Sequence, residues 1–498
     1  MQGEVKKGVV ITYATLIIGN LISFVYTPYM IRCLGQSEYG LISFVNSIIA
    51  YISLIDTGFG SAVVRYNADC IAKGENEKQT KINGMFLKLF SIIGIISIMI
   101  GLMLAKYMGV IFTKYTEKEV WIAQRLLVLA VVNLGISFPL NVFSSIVVSY
   151  ERFTFNKGIT LIKTLITPIM CVGILYAGGK SIPLVAVNLI FTIGVGSANI
   201  IYCVKKLGVK ISFRKLDHDL IKEIWKYSFF IFLSMIAYQI YWNTDQFIIG
   251  KVMGAVPIAI YAVGMSFNNY FRTFSDFASG IFLPRFTKMI SEGKDANDTL
   301  DELIKVSRIQ LFICMLIYSG FLVLGRQFII RWVGVEYTDS YLIALIVMTP
   351  QIVSIIQSLF ATLLQAMNKH NIKSYIYLSM AVVNIALTIL LVKPFGIIGC
   401  AVATAIGMTL NAVANNIYYS LFLHIDMWKY WKNVIKPMLL VAVITVLGYK
   451  IAIVMQITSY VGILGYAIFY SLVYLLGFWF IVFSTYERNM IIKFVKNL

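Results

Sequence analysis

Leu87–Ala105 is a nineteen-residue run whose only charged member is Lys88, and Leu439–Ile453 is a second apolar run broken only by Lys450. A helix rising 1.5 Å per residue crosses the ~30 Å hydrocarbon layer of a bilayer in about 20 apolar residues. Strands of a membrane barrel would instead alternate apolar and polar side chains over about ten positions. The runs therefore predict membrane helices. Composition agrees, since 59% of the 498 residues are hydrophobic and only 13% charged, against about 25% charged in a soluble globular chain. The expected fold class is an all-α polytopic membrane protein.

Apolar segments predict about fourteen transmembrane helices, near Gly8–Met30, Gly40–Val64, Gly84–Ala105, Trp121–Ser149, Ile159–Ala177, Ile182–Val204, Tyr227–Ile249, Ile258–Pro284, Ile309–Ile330, Tyr341–Met367, Tyr375–Val392, Ile397–Leu423, Val434–Met455 and Gly462–Ser484. With the N-terminus inside, most of the 42 Lys and Arg fall in or at the ends of inner segments, and far fewer in outer ones. That bias sets the orientation, with both termini cytoplasmic. Met1–Lys7 is a short basic start with no cleavage site behind it, so the first helix is expected to stay in the membrane. Lys205–Lys226 carries Leu220, Ile221, Ile224 and Trp225 at helical spacing and reads as an amphipathic helix on the inner leaflet. Thr299 and Glu302 have the spacing of a capping box before Leu303 and Ile304.

The chain also repeats itself. Arg32-Cys33-Leu34-Gly35 followed by Glu38-Tyr39-Gly40 is echoed by Lys251-Val252-Met253-Gly254 followed by Ile260-Tyr261-Ala262. Pro139, Phe143 and Ser144 are echoed by Pro350, Ser354 and Ile355. A repeat of about 210 residues corresponds to six helices. The expected organisation is a six-helix bundle over 1–204, an amphipathic linker over 205–226, a second six-helix bundle over 227–423, and two further helices with a cytoplasmic tail over 424–498. Transporters use such paired repeats to place a substrate path near the midplane. Pro139, Pro168 and Pro350 fall within predicted helices, where kinks are expected.

Most catalytic chemistry finds no support. The six cysteines are isolated, and His218, His370 and His424 lie far from any cysteine cluster, so neither a disulfide framework nor a metal site is expected. Gly194-Val195-Gly196 lies within an apolar helix, without the strand and turn that a phosphate loop requires. The net charge of +19 is spread between spans with no soluble domain to present it to nucleic acid. The chain reads as a non-enzyme without cofactors.

What remains is charge within helices. An ionisable side chain at the bilayer centre costs about 2.5–3.5 kcal/mol on insertion scales, so it usually faces protein or a wet cavity. Arg272 lies fourteen residues from the outer end of its span and twelve from the inner end, about 20 Å from either boundary. Asp276, one turn on, forms either its resting partner or a purely structural pair. Lys88, Lys163 and Arg125 lie about a turn from a span end, where their stems can snorkel to the headgroups or line a path. Asp56 sits beside Gly58 and Gly60 as a packing and hydrogen-bonding residue, and Asp245 lies near an outer end where it can cap or pair locally. These three acids are the intramembrane coupling candidates.

Arg32-Cys33-Leu34-Gly35-Gln36-Ser37-Glu38-Tyr39-Gly40 and Leu54-Ile55-Asp56-Thr57-Gly58-Phe59-Gly60 leading to Arg65-Tyr66 resemble the opening of the polysaccharide-synthesis flippases. These form the Wzx-like branch of the multidrug/oligosaccharidyl-lipid/polysaccharide exporter superfamily. Thr244-Asp245-Gln246-Phe247-Ile248-Ile249-Gly250 and Phe395-Gly396-Ile397-Ile398-Gly399-Cys400-Ala401 resemble that superfamily's later helices. The resemblance implies a bacterial inner-membrane flippase that carries undecaprenyl-pyrophosphate-linked oligosaccharide outward for O-antigen, capsule or other exopolysaccharide, beside a polymerase machinery. Arg272, Arg125, Lys88 and Lys163 are then the cavity cations for the diphosphate. A cation-coupled multidrug exporter, expected to line its cavity with carboxylates, is the runner-up, and a peptidoglycan lipid-precursor flippase is a third reading.

Overall fold

The computed structural model describes residues 2–214, 218–275, 283–367, 370–457, 459–483 and 488. Among these the regular structure is helical: α1 (Gln2–Ile52), α2 (Leu54–Lys73), α3 (Asn76–Ile111), α4 (Glu117–Ser149), α5 (Phe153–Tyr176), α6 (Ser181–Lys205), α7 (His218–Met253) and α8 (Ala255–Ser275). The chain continues with α9 (Leu283–Ser291), α10 (Leu300–Trp332), α11 (Asp339–Ile356), α12 (Ser358–Ala366), α13 (His370–Phe422), α14 (Met427–Ile435), α15 (Met438–Val454) and α16 (Tyr460–Gly477). Helix α1 holds two predicted spans across a kink at Gly35, and α13 holds two across Gly396. The second limb of α1 leads into α2, and α11 into α12. Among the described residues ten helical stretches are long and apolar enough to cross a membrane; the predicted spans Tyr227–Ile249 and Ile258–Pro284 are not among them, and 276–282 of the latter lie outside the described residues. Outward-facing side chains such as Ile95, Met99, Val454 and Val461 are large and apolar, as a lipid-facing surface requires.

Two compact units divide the chain, residues Met1–Ala259 and Ile260–Leu498. In the first, α3 and α4 form a close antiparallel pair. Gly94 makes the approach possible, because a Cβ there would stand 2.4 Å from the carbonyl oxygen of Gly135. Small residues are what let membrane helices meet this closely, since lipid tails leave little hydrophobic drive for their association. Phe86, Phe90, Phe138 and Ile146 form part of a buried core in this unit. Below them Gln79 Nε2 donates to Asn67 Oδ1 at 3.1 Å and lies 3.1 Å from the Tyr150 hydroxyl.

The end of the first unit around Gly35 is held differently. Lys180 Nζ donates to the Cys33 carbonyl at 2.8 Å, and the Ser181 amide donates to Glu38 at 3.1 Å, tying the start of α6 to the bend at Gly35. The Ser37 hydroxyl donates to Glu119 at 2.5 Å. Phe44, Phe112, Tyr115 and Phe247 pack as one aromatic cluster, with centroids 4.7 Å apart for Phe44–Phe112 and 5.3 Å for Phe112–Phe247. Through this cluster, and through its packing on α1 and α2, α7 belongs to the first unit.

In the second unit the Ser340 hydroxyl donates to the Ile260 carbonyl at 2.6 Å, docking α8 on the start of α11. Phe267 packs among Phe321, Phe328 and Trp332, edge-on to the last two. Helices α15 and α16 pack against α10, where the Tyr474 hydroxyl donates to the Phe312 carbonyl at 2.9 Å.

Two local expectations fail. The amphipathic helix over Lys205–Lys226 is not formed as one element: α6 ends at Lys205, 206–214 are not helical, and the helical spacing of Leu220 to Trp225 belongs to the first turns of α7. The strap is fixed instead by packing of Val209 and Ile211 and by the Ser212 amide, which donates to the Thr80 carbonyl at 3.0 Å. The capping box at Thr299 is also absent. Thr299 closes a 3-10 turn in helical conformation and donates back to the Ala296 carbonyl at 2.7 Å, while Glu302 pairs with Arg285 at 3.1 Å. A complete box forms at Thr116 and Glu119 at the start of α4. Pro139, Pro168 and Pro350 all lie inside helices, and the last precedes a break at Gln357 between α11 and α12.

Candidate substrate path

Tyr261, Gly264, Asn268, Arg272 and Ser275 recur at three- and four-residue spacing along one face of α8. The face begins apolar and packed: Tyr261 is fully buried, and a Cβ at Gly264 would meet Ile343 at 2.7 Å. Toward its end it turns polar. Asn268 and Ser275 are fully buried, yet the Asn268 amide and the Ser275 hydroxyl find no hydrogen-bond partner among the described residues. A buried polar group without a partner costs about 1–3 kcal/mol, so such groups persist mostly where a functional contact repays them. Arg272 stands between the two, partly buried, in the last described turn of α8. Its expected partner Asp276 lies outside the described residues.

The other candidate cations lie on other helices. Arg125 is exposed on the third turn of α4, its guanidinium carbon 3.9 Å from the centroid of the Trp121 ring. Lys88 is exposed on α3. Lys163 is half-buried on α5, the helix that packs along α1, where the Thr164 methyl would meet a Cβ at Gly19 at 3.2 Å. These three belong to separate helices of the first unit, and Arg272 to the second.

Of the acids, Asp56 falls in α2 with its side chain outside the described residues. Asp245 is buried in α7, 1% exposed. Its neighbour Thr244 shares a hydrogen bond with the Tyr51 hydroxyl and donates to the Ile240 carbonyl at 2.5 Å. Tyr51 and Thr244 are the polar part of the wall of a cavity of about 470 Å³, otherwise lined by apolar groups such as Ile48, Ile100, Leu104 and Phe247. Tyr51 and the Asn268–Ser275 pair escaped the sequence reading, which looked for charges. The recurrence of polar residues at 268, 272 and 275 was the available signal. Among the described residues there is no cluster of side chains suited to a metal ion.

Comparison with known proteins sets this geometry in context. A family model described as polysaccharide biosynthesis protein matches residues 5–290, more than half of the chain. A probable low-salt glycan biosynthesis flippase of Haloferax volcanii is 23% identical over 464 residues, covering 90% of this chain and 92% of its own. A putative O-antigen transporter of Shigella flexneri is 22% identical over 409 residues, covering 80% of this chain and 93% of its own. The fold is shared with the lipid II flippase MurJ in an inward closed conformation, at a TM-score of 0.73, 15% identity and coverage of 97% and 99%. It is also shared with an inward-facing multidrug transporter of the MATE family in the MOP superfamily, at a TM-score of 0.59, 12% identity and coverage of 82% and 96%. With its helices arranged as in these transporters and its first half matching the family model, the chain is a multi-pass membrane protein that belongs to the polysaccharide biosynthesis protein family.

Proposed function

We propose that this protein is a flippase that carries undecaprenyl-pyrophosphate-linked oligosaccharide from the inner to the outer leaflet of a bacterial cytoplasmic membrane, by alternating access, for surface polysaccharide assembly. The observation that carries the reading is Arg272, flanked on the same helix face by the buried Asn268 and Ser275, which find no hydrogen-bond partner among the described residues. A polyprenyl tail can stay in lipid while a sugar diphosphate crosses, so the crossing group needs a polar, cationic surface. A guanidinium offers its planar fork to diphosphate oxygens, and neutral amide and hydroxyl groups beside it hydrogen-bond phosphate or sugar. Family membership supports the polysaccharide pathway, as do relatives described as a glycan flippase and an O-antigen transporter. In this reading both termini are cytoplasmic, the two halves of the chain alternate around the path with α7 moving as part of the first, and a polymerase uses the delivered repeat unit.

The test is genetic and chemical. Deleting the protein should leave completed repeat units on the inner leaflet and abolish the surface polymer. Normal polymer together with altered resistance to organic cations would favour a multidrug exporter instead.

A further inference from the structure

Helix α14, between the membrane helices α13 and α15, has two unlike faces. Its inner face is locked: Tyr430 is fully buried, with its hydroxyl 3.0 Å from Ser307 Oγ and 3.1 Å from the Ile356 carbonyl oxygen. Trp431 Nε1 donates to Asn416 Oδ1 at 2.8 Å, and Lys429 Nζ lies 2.9 Å from Asp301. Asp426 caps the helix by accepting from the Lys429 amide at 2.8 Å. These contacts leave the helix no freedom to roll about its axis.

The opposite face carries Trp428, Lys432, Ile435 and Lys436, spaced by four, three and one residues, and α15 continues it with Leu439. Trp428 is 80% exposed and Leu439 77%. Lys432 and Lys436 are exposed too, and Lys436 donates to the neutral Asn433 amide oxygen at 3.1 Å. In water this would be a poor surface for an indole. At the point where α13 leaves the bilayer and α15 enters it, the same surface has a physical reason: Trp favours the headgroup level, and each Lys near an anionic leaflet gains about 1 kcal/mol. The excess of Lys and Arg in inner segments places this helix on the cytoplasmic side. We propose that Trp428, Lys432 and Lys436 form a docking site for the headgroups of anionic phospholipids in the leaflet against which α14 lies. The inference is independent of the cargo.

The full chain in bilayer discs of three parts phosphatidylcholine to one part phosphatidylglycerol provides the test. Trp428 fluorescence is isolated as the difference between parent and Trp428→Phe, and only one lipid at a time carries bromine at a shallow chain position. Corrected for lipid fraction, brominated phosphatidylglycerol should quench Trp428 about threefold more strongly than brominated phosphatidylcholine. The preference should vanish in Lys432→Gln with Lys436→Gln, while quenching itself remains. Equal quenching by the two lipids in the parent would overturn the proposal. Absence of quenching by either would also overturn it, by placing the face in water or against protein.

Discussion

The Arg125 guanidinium carbon lies 3.9 Å from the centroid of the Trp121 ring, one turn earlier on the exposed side of α4. This contact gives the exposed arginine a partner on its own helix. The sequence set Arg272 deep in its span and Arg125 about a turn from a span end, and the structure adds that Arg125 is exposed while Arg272 is partly buried. Arg125→Gln should keep the leaflet distribution of cargo near the parental value and shift unfolding in detergent by no more than about 1 kcal/mol, the worth of an exposed cation–π contact. A transport loss as large as that of Arg272→Ala would move Arg125 into the path.

Close packing of α3 on α4 makes a prediction about folding. Gly94→Ala places a methyl carbon 2.4 Å from the Gly135 carbonyl oxygen, and relieving such an overlap costs about 1–3 kcal/mol. Gly173 on α5 has nothing within 4 Å of its would-be Cβ, so Gly173→Ala is the control. Thermal unfolding of both purified variants should show a clear drop for the first and none for the second.

Topology is testable at turns that the structure defines. Reporters inserted at Gly208, in the strap after α6, and at Gly293, after α9, should report cytoplasm. One at Lys114, between α3 and α4, should report the outside. A reporter at Leu498 should again report cytoplasm, and an external signal there would contradict the even number of crossings.

The pairing of Arg272 with Asp276 is settled by a double replacement. A buried ion pair that loses one member leaves a charge costing about 3–5 kcal/mol, whereas losing both can be almost neutral. If Arg272 only braces the helix, Arg272→Ala with Asp276→Ala inserts normally and transports at nearly the parental rate. If the guanidinium binds diphosphate, the double variant inserts normally and transports as poorly as Arg272→Ala, with Arg272→Lys intermediate.

The features that the sequence made legible are those with local causes. Gly35 and Gly254, paired by the internal repeat, both adopt positive φ, +80° and +93°, where the chain bends between helices. Apolar runs located the crossings because the bilayer imposes their length. Packing partners were not legible in this way. The assignment of α7 to the first unit depends on Phe247 meeting Phe44 and Phe112 across more than a hundred residues, and no periodicity within α7 encodes that. Arg272 was visible because a charge stands out in an apolar run. Asn268 and Ser275 are ordinary residues until burial without partners marks them, and Trp428 is ordinary until its helix is locked with the indole outward.

The most direct measurement follows radiolabelled lipid-linked precursor in each leaflet of cells carrying no protein, the parent, or Arg272→Ala at matched membrane levels. The flippase account predicts outer-leaflet precursor with the parent alone, and retention on the inner leaflet in the other two. Equal outer-leaflet precursor in all three strains would contradict it.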